Sequence, residues 1–214
     1  MDNLKRKSSF NHLSKKCRIH NRHQIYSINL WTMEDMFLSM TLCVIDSSYD
    51  HFESVSLFGI EPDILHLLLT HYTCLPRLFS LNIDTKSSCR LKELSDIYQS
   101  IFALSKLESI ELETDIFDDS ESRLPLSIAT NKQFSNIKYL YIHHSCSFQE
   151  LFAIISYTLQ LCRLKLSYTS DNDEPIIGNV LPISLLSLIH FSIDRYDMKF
   201  DKFRWFIKNI FFAN

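Results

Sequence analysis

Apolar residues in this chain recur in a six-residue motif, apolar–x–x–apolar–x–apolar. Its copies are Ile25, Ile28, Leu30; Phe52, Val55, Leu57; Leu78, Leu81, Ile83; and Leu107, Ile110, Leu112. Three more follow: Ile137, Leu140, Ile142; Leu161, Leu164, Leu166; and Leu188, Phe191, Ile193. The seven copies begin at residues 25, 52, 78, 107, 137, 161 and 188, so the steps are 27, 26, 29, 30, 24 and 27 residues. The last two apolar positions, two residues apart, lie on one face of a short strand. The first packs beneath the entrance of that strand. One such unit cannot bury its own apolar face, so the units must stack, strand beside parallel strand. The spacing therefore predicts seven parallel strands in one sheet, in sequence order, near residues 28–31, 55–58, 81–84, 110–113, 140–143, 164–167 and 191–194.

Several connecting segments have helical spacing instead. Leu91, Leu94, Ile97, Ile101 and Leu104 form one such stripe, and Phe148, Leu151, Phe152, Ile155 and Leu159 another. Pro62 suits a first helical turn, Ile64, Leu65, Leu68 and Leu69 the buried stripe behind it, and Pro76 a stop. Thr32 with Asp35 fits a capping box ahead of Met33, Met36, Phe37 and Met40. At the far end Phe200, Phe203, Phe206, Ile207 and Ile210 predict a helix over 198–212 that closes the stack. Residues 113–136, acidic and holding Pro125, and residues 167–187, holding Pro175, Gly178 and Pro182, predict no full helix. The fold class that results is an α/β repeat solenoid, with a parallel concave sheet and helices or loops on the convex side.

The segments "LPRLFSLNI" at 75–83, "LSKLESIEL" at 104–112 and "FSNIKYLYI" at 134–142 resemble leucine-rich repeats of the ribonuclease-inhibitor-like class, as found in F-box proteins. "SSFNHLSKKCRIHNRHQIYSINL" at 8–30 is similar to the join between an F-box and a first repeat. The resemblance spans roughly 25–214, which is read as the repeat domain, with 1–24 a basic leader or the remnant of an upstream F-box region too short to hold that module complete. It implies that the repeats hold a protein target for a ubiquitin-ligase adaptor, and that ligase scaffold subunits are partners where an F-box lies upstream. Repeats of this class usually place Asn or Cys three residues after the third apolar position. Here Met33, Ile60, Lys86, Asp115, Ser145, Thr169 and Tyr196 stand there, which predicts irregular turns.

Composition narrows the chemistry. The only glycines are Gly59 and Gly178, so neither a Rossmann nor a P-loop spacing occurs. Cys17, Cys43, Cys74, Cys89, Cys146 and Cys162 are scattered without a Cys-x-x-Cys pair, and with no secretory leader they read as reduced, mostly buried thiols. With no long apolar run, the expected compartment is the cytoplasm, the nucleus being the second choice. His12, Cys17, His20 and His23 carry zinc-ligand side chains but lack a second pair, and His143 and His144, adjacent on a strand, must point to opposite faces. Residues 1–22 hold seven Lys or Arg against Asp2, yet the whole chain is at −3, which argues against a nucleic-acid function. Glu108, Glu111, Glu113, Asp115, Asp118, Asp119 and Glu121 read as an acidic loop edging a binding surface, without calcium-loop spacing. No Gly-x-Ser-x-Gly occurs.

The expectation is thus an interaction module, not an enzyme, with no cofactor, no metal, no membrane contact and a protein partner on the concave face. The alternative is a small hydrolase-like enzyme on an irregular α/β core. Reading the third, fifth and seventh motif positions across the repeats, the row passes from small polar residues to acids, then aromatics, then bases. The predicted partner-binding residues are Glu111, Glu113, Tyr139, Tyr141, His143, Arg163 and Lys165, centred on Tyr139, Tyr141 and Arg163.

Overall fold

A computed structural model describes residues 24–31, 49–116, 124–129, 134–167, 185–194, 204, 207 and 208. Seven strands and three helices occur among them: β1 (Ser27–Trp31), β2 (Ser54–Ile60), α1 (Pro62–Tyr72), β3 (Ser80–Thr85), α2 (Leu91–Phe102), β4 (Ser109–Glu113), β5 (Tyr139–His143), α3 (Phe148–Ser156), β6 (Arg163–Leu166) and β7 (His190–Ile193). The strands form one α/β sheet in the order β1 to β7, and every neighbouring pair is parallel. Order and direction are those predicted from the motif spacing; each strand begins one residue earlier than predicted.

Register turns the motif into rows. The second apolar positions align as Ile28, Val55, Leu81, Ile110, Leu140, Leu164 and Phe191, and the third as Leu30, Leu57, Ile83, Leu112, Ile142, Leu166 and Ile193. From β2 to β6 all members of both rows are buried, as are the first apolar positions Phe52, Leu78, Leu107, Ile137 and Leu161 beneath them. Burying one such side chain stabilises by roughly 1.5–3 kcal/mol, so these rows dominate the stability. At the ends, Ile25, Ile28, Leu188, Phe191 and Ile193 are only partly buried.

The backbone repeats with the side chains. The carbonyl between the first and second strand-facing positions accepts two N–H groups from the next unit: Tyr26 from Glu53 and Ser54, Glu53 from Phe79 and Ser80, Phe79 from Glu108 and Ser109. Glu108, Lys138 and Cys162 continue the series up to β7. Each strand entrance is thereby satisfied by its predecessor, which buried backbone groups require.

Helices pack on the face that holds the apolar rows. α1 buries Pro62, Leu65, Leu68, Leu69 and Tyr72, with Pro62 at its start, and it ends at Tyr72, before Pro76 is reached. α2 buries Leu94, Ile97, Tyr98, Ile101 and Phe102, and the Glu93 carboxylate accepts the Arg90 N–H at its start. α3 opens with a capping box that the sequence reading passed over: Ser147 Oγ accepts the Glu150 N–H, and Glu150 accepts the Ser147 N–H at 2.7 Å. Phe102 stacks on Tyr157 at 4.5 Å between α2 and the end of α3.

No helix occurs among the described residues of 113–136, as predicted, and an extended strip takes its place. Leu124 and Leu126 are buried in the core. The strip is tied to α3 by Leu124 N–H to Glu150, Ala129 N–H to Ser156 Oγ, and Tyr157 OH to the Ser127 carbonyl. Gly59, with φ 65°, sits where the β2–β3 register shifts between Phe58 and Ile60. A left-handed residue inside a strand is where glycine is worth having. One of the chain's two glycines is therefore spent on a bulge.

The thiols correct an expectation. Cys89 and Cys146 are buried, whereas Cys74 is exposed and Cys162 half-buried. Cys17 and Cys43 lie outside the described residues, as do the Cys-x-x-His-x-x-His run and the capping box at Thr32. Of the predicted C-terminal helix, Arg204, Ile207 and Lys208 are described and helical, with Ile207 against the core. No helix among the described residues is long and apolar enough to cross a membrane.

Candidate interaction surface

Because a strand alternates sides, burying two apolar rows turns three other rows to the opposite face. The first outward row reads Ser27, Ser54, Ser80, Ser109, Tyr139, Arg163, His190. Asn29, Ser56, Asn82, Glu111, Tyr141, Lys165 and Ser192 form the second. Along the third lie Trp31, Phe58, Asp84, Glu113 and His143. Parallel sheets are usually covered on both faces. Here these rows are exposed or half-buried, with Trp31 at 69% and Tyr139 at 41% exposure. All seven predicted partner-binding residues, Glu111, Glu113, Tyr139, Tyr141, His143, Arg163 and Lys165, lie on this face, on β4, β5 and β6.

The β5–β6 half is internally paired. The Arg163 guanidinium lies 5.6 Å from the centre of the Tyr139 ring, and Lys165 Nζ 4.5 Å from that of Tyr141. Lys165 also reaches Asp194 Oδ2 at 2.8 Å. That contact raises the lysine pKa and lowers that of Asp194. His143 sits 3.5 Å from Glu113 and edge-on to Tyr141 at 5.4 Å. Glu113 therefore pairs with the next strand, and the bases on β6 pair elsewhere; neither Glu111 nor Glu113 meets Arg163 or Lys165.

Ser167, the seventh position of the sixth motif copy, reaches an open-face residue but is itself covered. It is buried, its N–H bonded to the Ile142 carbonyl and its hydroxyl 2.9 Å from Tyr141 Oη. β6 ends at Leu166, and Ser167 follows directly after it. The acidic stretch is corrected similarly: Glu111 and Glu113 belong to β4, not to a loop, while Asp118, Asp119 and Glu121 lie outside the described residues.

The β1–β4 half was underweighted by sequence reasoning. Trp31 stacks on Phe58 at 4.3 Å and 19°, and the row continues directly into Asp84 and Glu113. Asp84 has its pKa raised, first by burial and then by the charges of Glu113 and Asp115. Among the described residues neither Asp84 nor Glu111 has a cation within salt-bridge distance.

Polar side chains also occupy the ends of the strands and the turns that follow, one residue before the expected Asn or Cys position. Thr85 Oγ1 is 2.7 Å from Thr114 Oγ1, which is 3.2 Å from Cys89 Sγ. One repeat further on, the equivalent His144 is buried and bonded to Tyr98, while His143 stays on the open face.

Cavities among the described residues lie away from the sheet face. One of about 600 Å³ is lined by Gln99, Phe102, Ser105, Ser127, Asn136 and Tyr157 among others, and its described lining offers amides and hydroxyls but no carboxylate or histidine. Another, about 460 Å³, lies beside Glu61, Asp63, Arg90 and Glu93 at the starts of α1 and α2. No protein-family model matches the chain, and no curated protein matches it.

Proposed function

We propose that this chain is a leucine-rich-repeat solenoid whose open sheet face holds a protein target, as the substrate-recognition part of an F-box-type ubiquitin-ligase adaptor. The observation that carries the binding role is a parallel sheet with one face packed and the other bearing aromatic–cation pairs in the open. Tyr and Arg anchor protein interfaces because they bury large area and still form hydrogen bonds. The strand order supports this reading over the enzyme alternative. Doubly wound sheets place ligands where the strand order reverses, and β1 to β7 run in sequence without a reversal. Ligase membership rests on the resemblance of the repeats, and a cytoplasmic or nuclear compartment follows from that role.

The test is affinity capture with the full chain beside a Tyr139→Ala, Tyr141→Ala, Arg163→Ala triple variant confirmed as folded. The expected outcome is a protein retained by the wild type and lost by the variant, with ligase scaffold subunits captured by both where an F-box lies upstream. Equal retention of every captured protein by the variant overturns the assignment of the face. Absence of scaffold subunits from a capture in which an F-box does lie upstream overturns the adaptor role.

A further inference from the structure

We infer that the β1–β4 half of the open face is a docking site for a basic protein segment, whose arginine or lysine side chains pair with Asp84, Glu111 and Glu113 while its chain crosses the Trp31–Phe58 stack. The inference rests on the proposed binding role of the sheet face and names the chemistry of the partner. Two halves of one face differ in what they leave unpaired. On β5 and β6 the bases are engaged within the chain: Lys165 by Asp194 and Tyr141, Arg163 by the Tyr139 ring, His143 by Glu113. On β3 and β4, among the described residues, Asp84 and Glu111 have no cation within salt-bridge distance; Asp84 and Glu113 are register partners on adjacent strands with like charge, and Glu113 has only the His143 imidazole beside it. Such a pair is relieved by a cation supplied from outside, which is the complementarity a partner would satisfy.

A second observation, of different physical kind, lies in the same row. Trp31 is 69% exposed and stacks on Phe58, which is the register partner of Asp84. An exposed indole two strands away from Asp84 suits a basic segment, one guanidinium stacking on the ring while a neighbouring one forks onto a carboxylate. From Trp31 to Glu113 the row spans three strand spacings, roughly 14 Å. That length matches about four residues of extended chain.

The test uses the full chain and fluorescein-labelled hexa-arginine, read by fluorescence anisotropy at low salt. Binding is expected, with at least tenfold weaker affinity for Asp84→Asn/Glu113→Gln, severalfold weaker for Trp31→Ala, and no change for Glu61→Gln/Glu93→Gln, which removes acids away from the sheet face. Asp84→Lys/Glu113→Lys is expected to exchange hexa-arginine for hexa-glutamate. Equal losses for the two pairs of acid-to-amide changes would reduce the effect to net charge and overturn the site. Spermine binding as tightly as hexa-arginine, and insensitive to Trp31→Ala, would replace the protein segment by a small polyamine and overturn the stated partner. No binding of hexa-arginine by the wild type overturns the inference alone, because the Tyr139, Tyr141 and Arg163 variant tests the wider role independently.

Discussion

Removing the Tyr98 hydroxyl tests how the buried polar turn is held. Tyr98 Oη lies 2.6 Å from His144 Nε2, and His144 Nδ1 lies 2.9 Å from the Ser145 carbonyl oxygen. A carbonyl only accepts, so Nδ1 carries the proton, and Nε2 accepts from the tyrosine. Tyr98→Phe keeps the ring, and its 5.8 Å packing on Phe102, but leaves Nε2 buried without a donor. An orphaned buried acceptor costs about 1–3 kcal/mol, the loss expected in urea denaturation at pH 8. Burial lowers the pKa of His144, so the unfolded chain takes up a proton before the folded one does. Its contribution is full above the ordinary histidine value of 6.5 and is lost as pH falls from there toward the depressed folded value. The tyrosine donor favours the neutral ring, and without it the folded pKa moves back up. The difference between wild type and variant should therefore shrink on acidification from pH 8 to 5. A loss below about 0.5 kcal/mol at pH 8 would refute the bonding pattern. A difference that widens in acid would refute the assigned proton.

Gly59→Ala should cost about 1–2 kcal/mol in the same denaturation experiment, since φ of 65° places a Cβ against the following carbonyl; an unchanged midpoint would mean that the bulge relaxes without loss. Glu150→Ala removes the acceptor of both the Ser147 and Leu124 N–H groups. It should cost about 0.5–2 kcal/mol through the lost cap, and hydrogen exchange at the Leu124 amide should accelerate while α2 amides stay protected. Unchanged exchange at Leu124 would show that the strip is held by Leu124 and Leu126 burial alone.

The rows of the sheet were legible because period two and a near-constant repeat length both depend on residue order alone. Ile110 and Leu112 had to face inward together, and Glu111 had to face the other way. What escaped was whatever depends on distances that the pattern does not encode. Ser167 follows the alternation, but its hydroxyl is tied to Tyr141 and the residue is buried. Asp194 binds Lys165 on the diagonal, while its register partner is Ser192. Ser147 and Glu150 form an ordinary capping signature, but whether the two side chains close the box depends on where the chain leaves β5. Trp31, Phe58 and Asp84 were on the outward row, yet only coordinates show the rings stacked and the carboxyl without a base.

Strand order has a consequence for how the chain is made. Among the described residues, each strand is hydrogen-bonded only to the strands just before and just after it in sequence. Every pairing closes a connection of one repeat, and closure entropy rises by only about 0.6 kcal/mol per doubling of length. All the pairings are therefore entropically alike, and none waits for a distant part of the polypeptide. A ribosome adding roughly 5–20 residues per second releases a new unit every few seconds. Each arriving strand meets a template already in place, so the sheet can grow as a crystal face does, with its newest layer as the exposed edge.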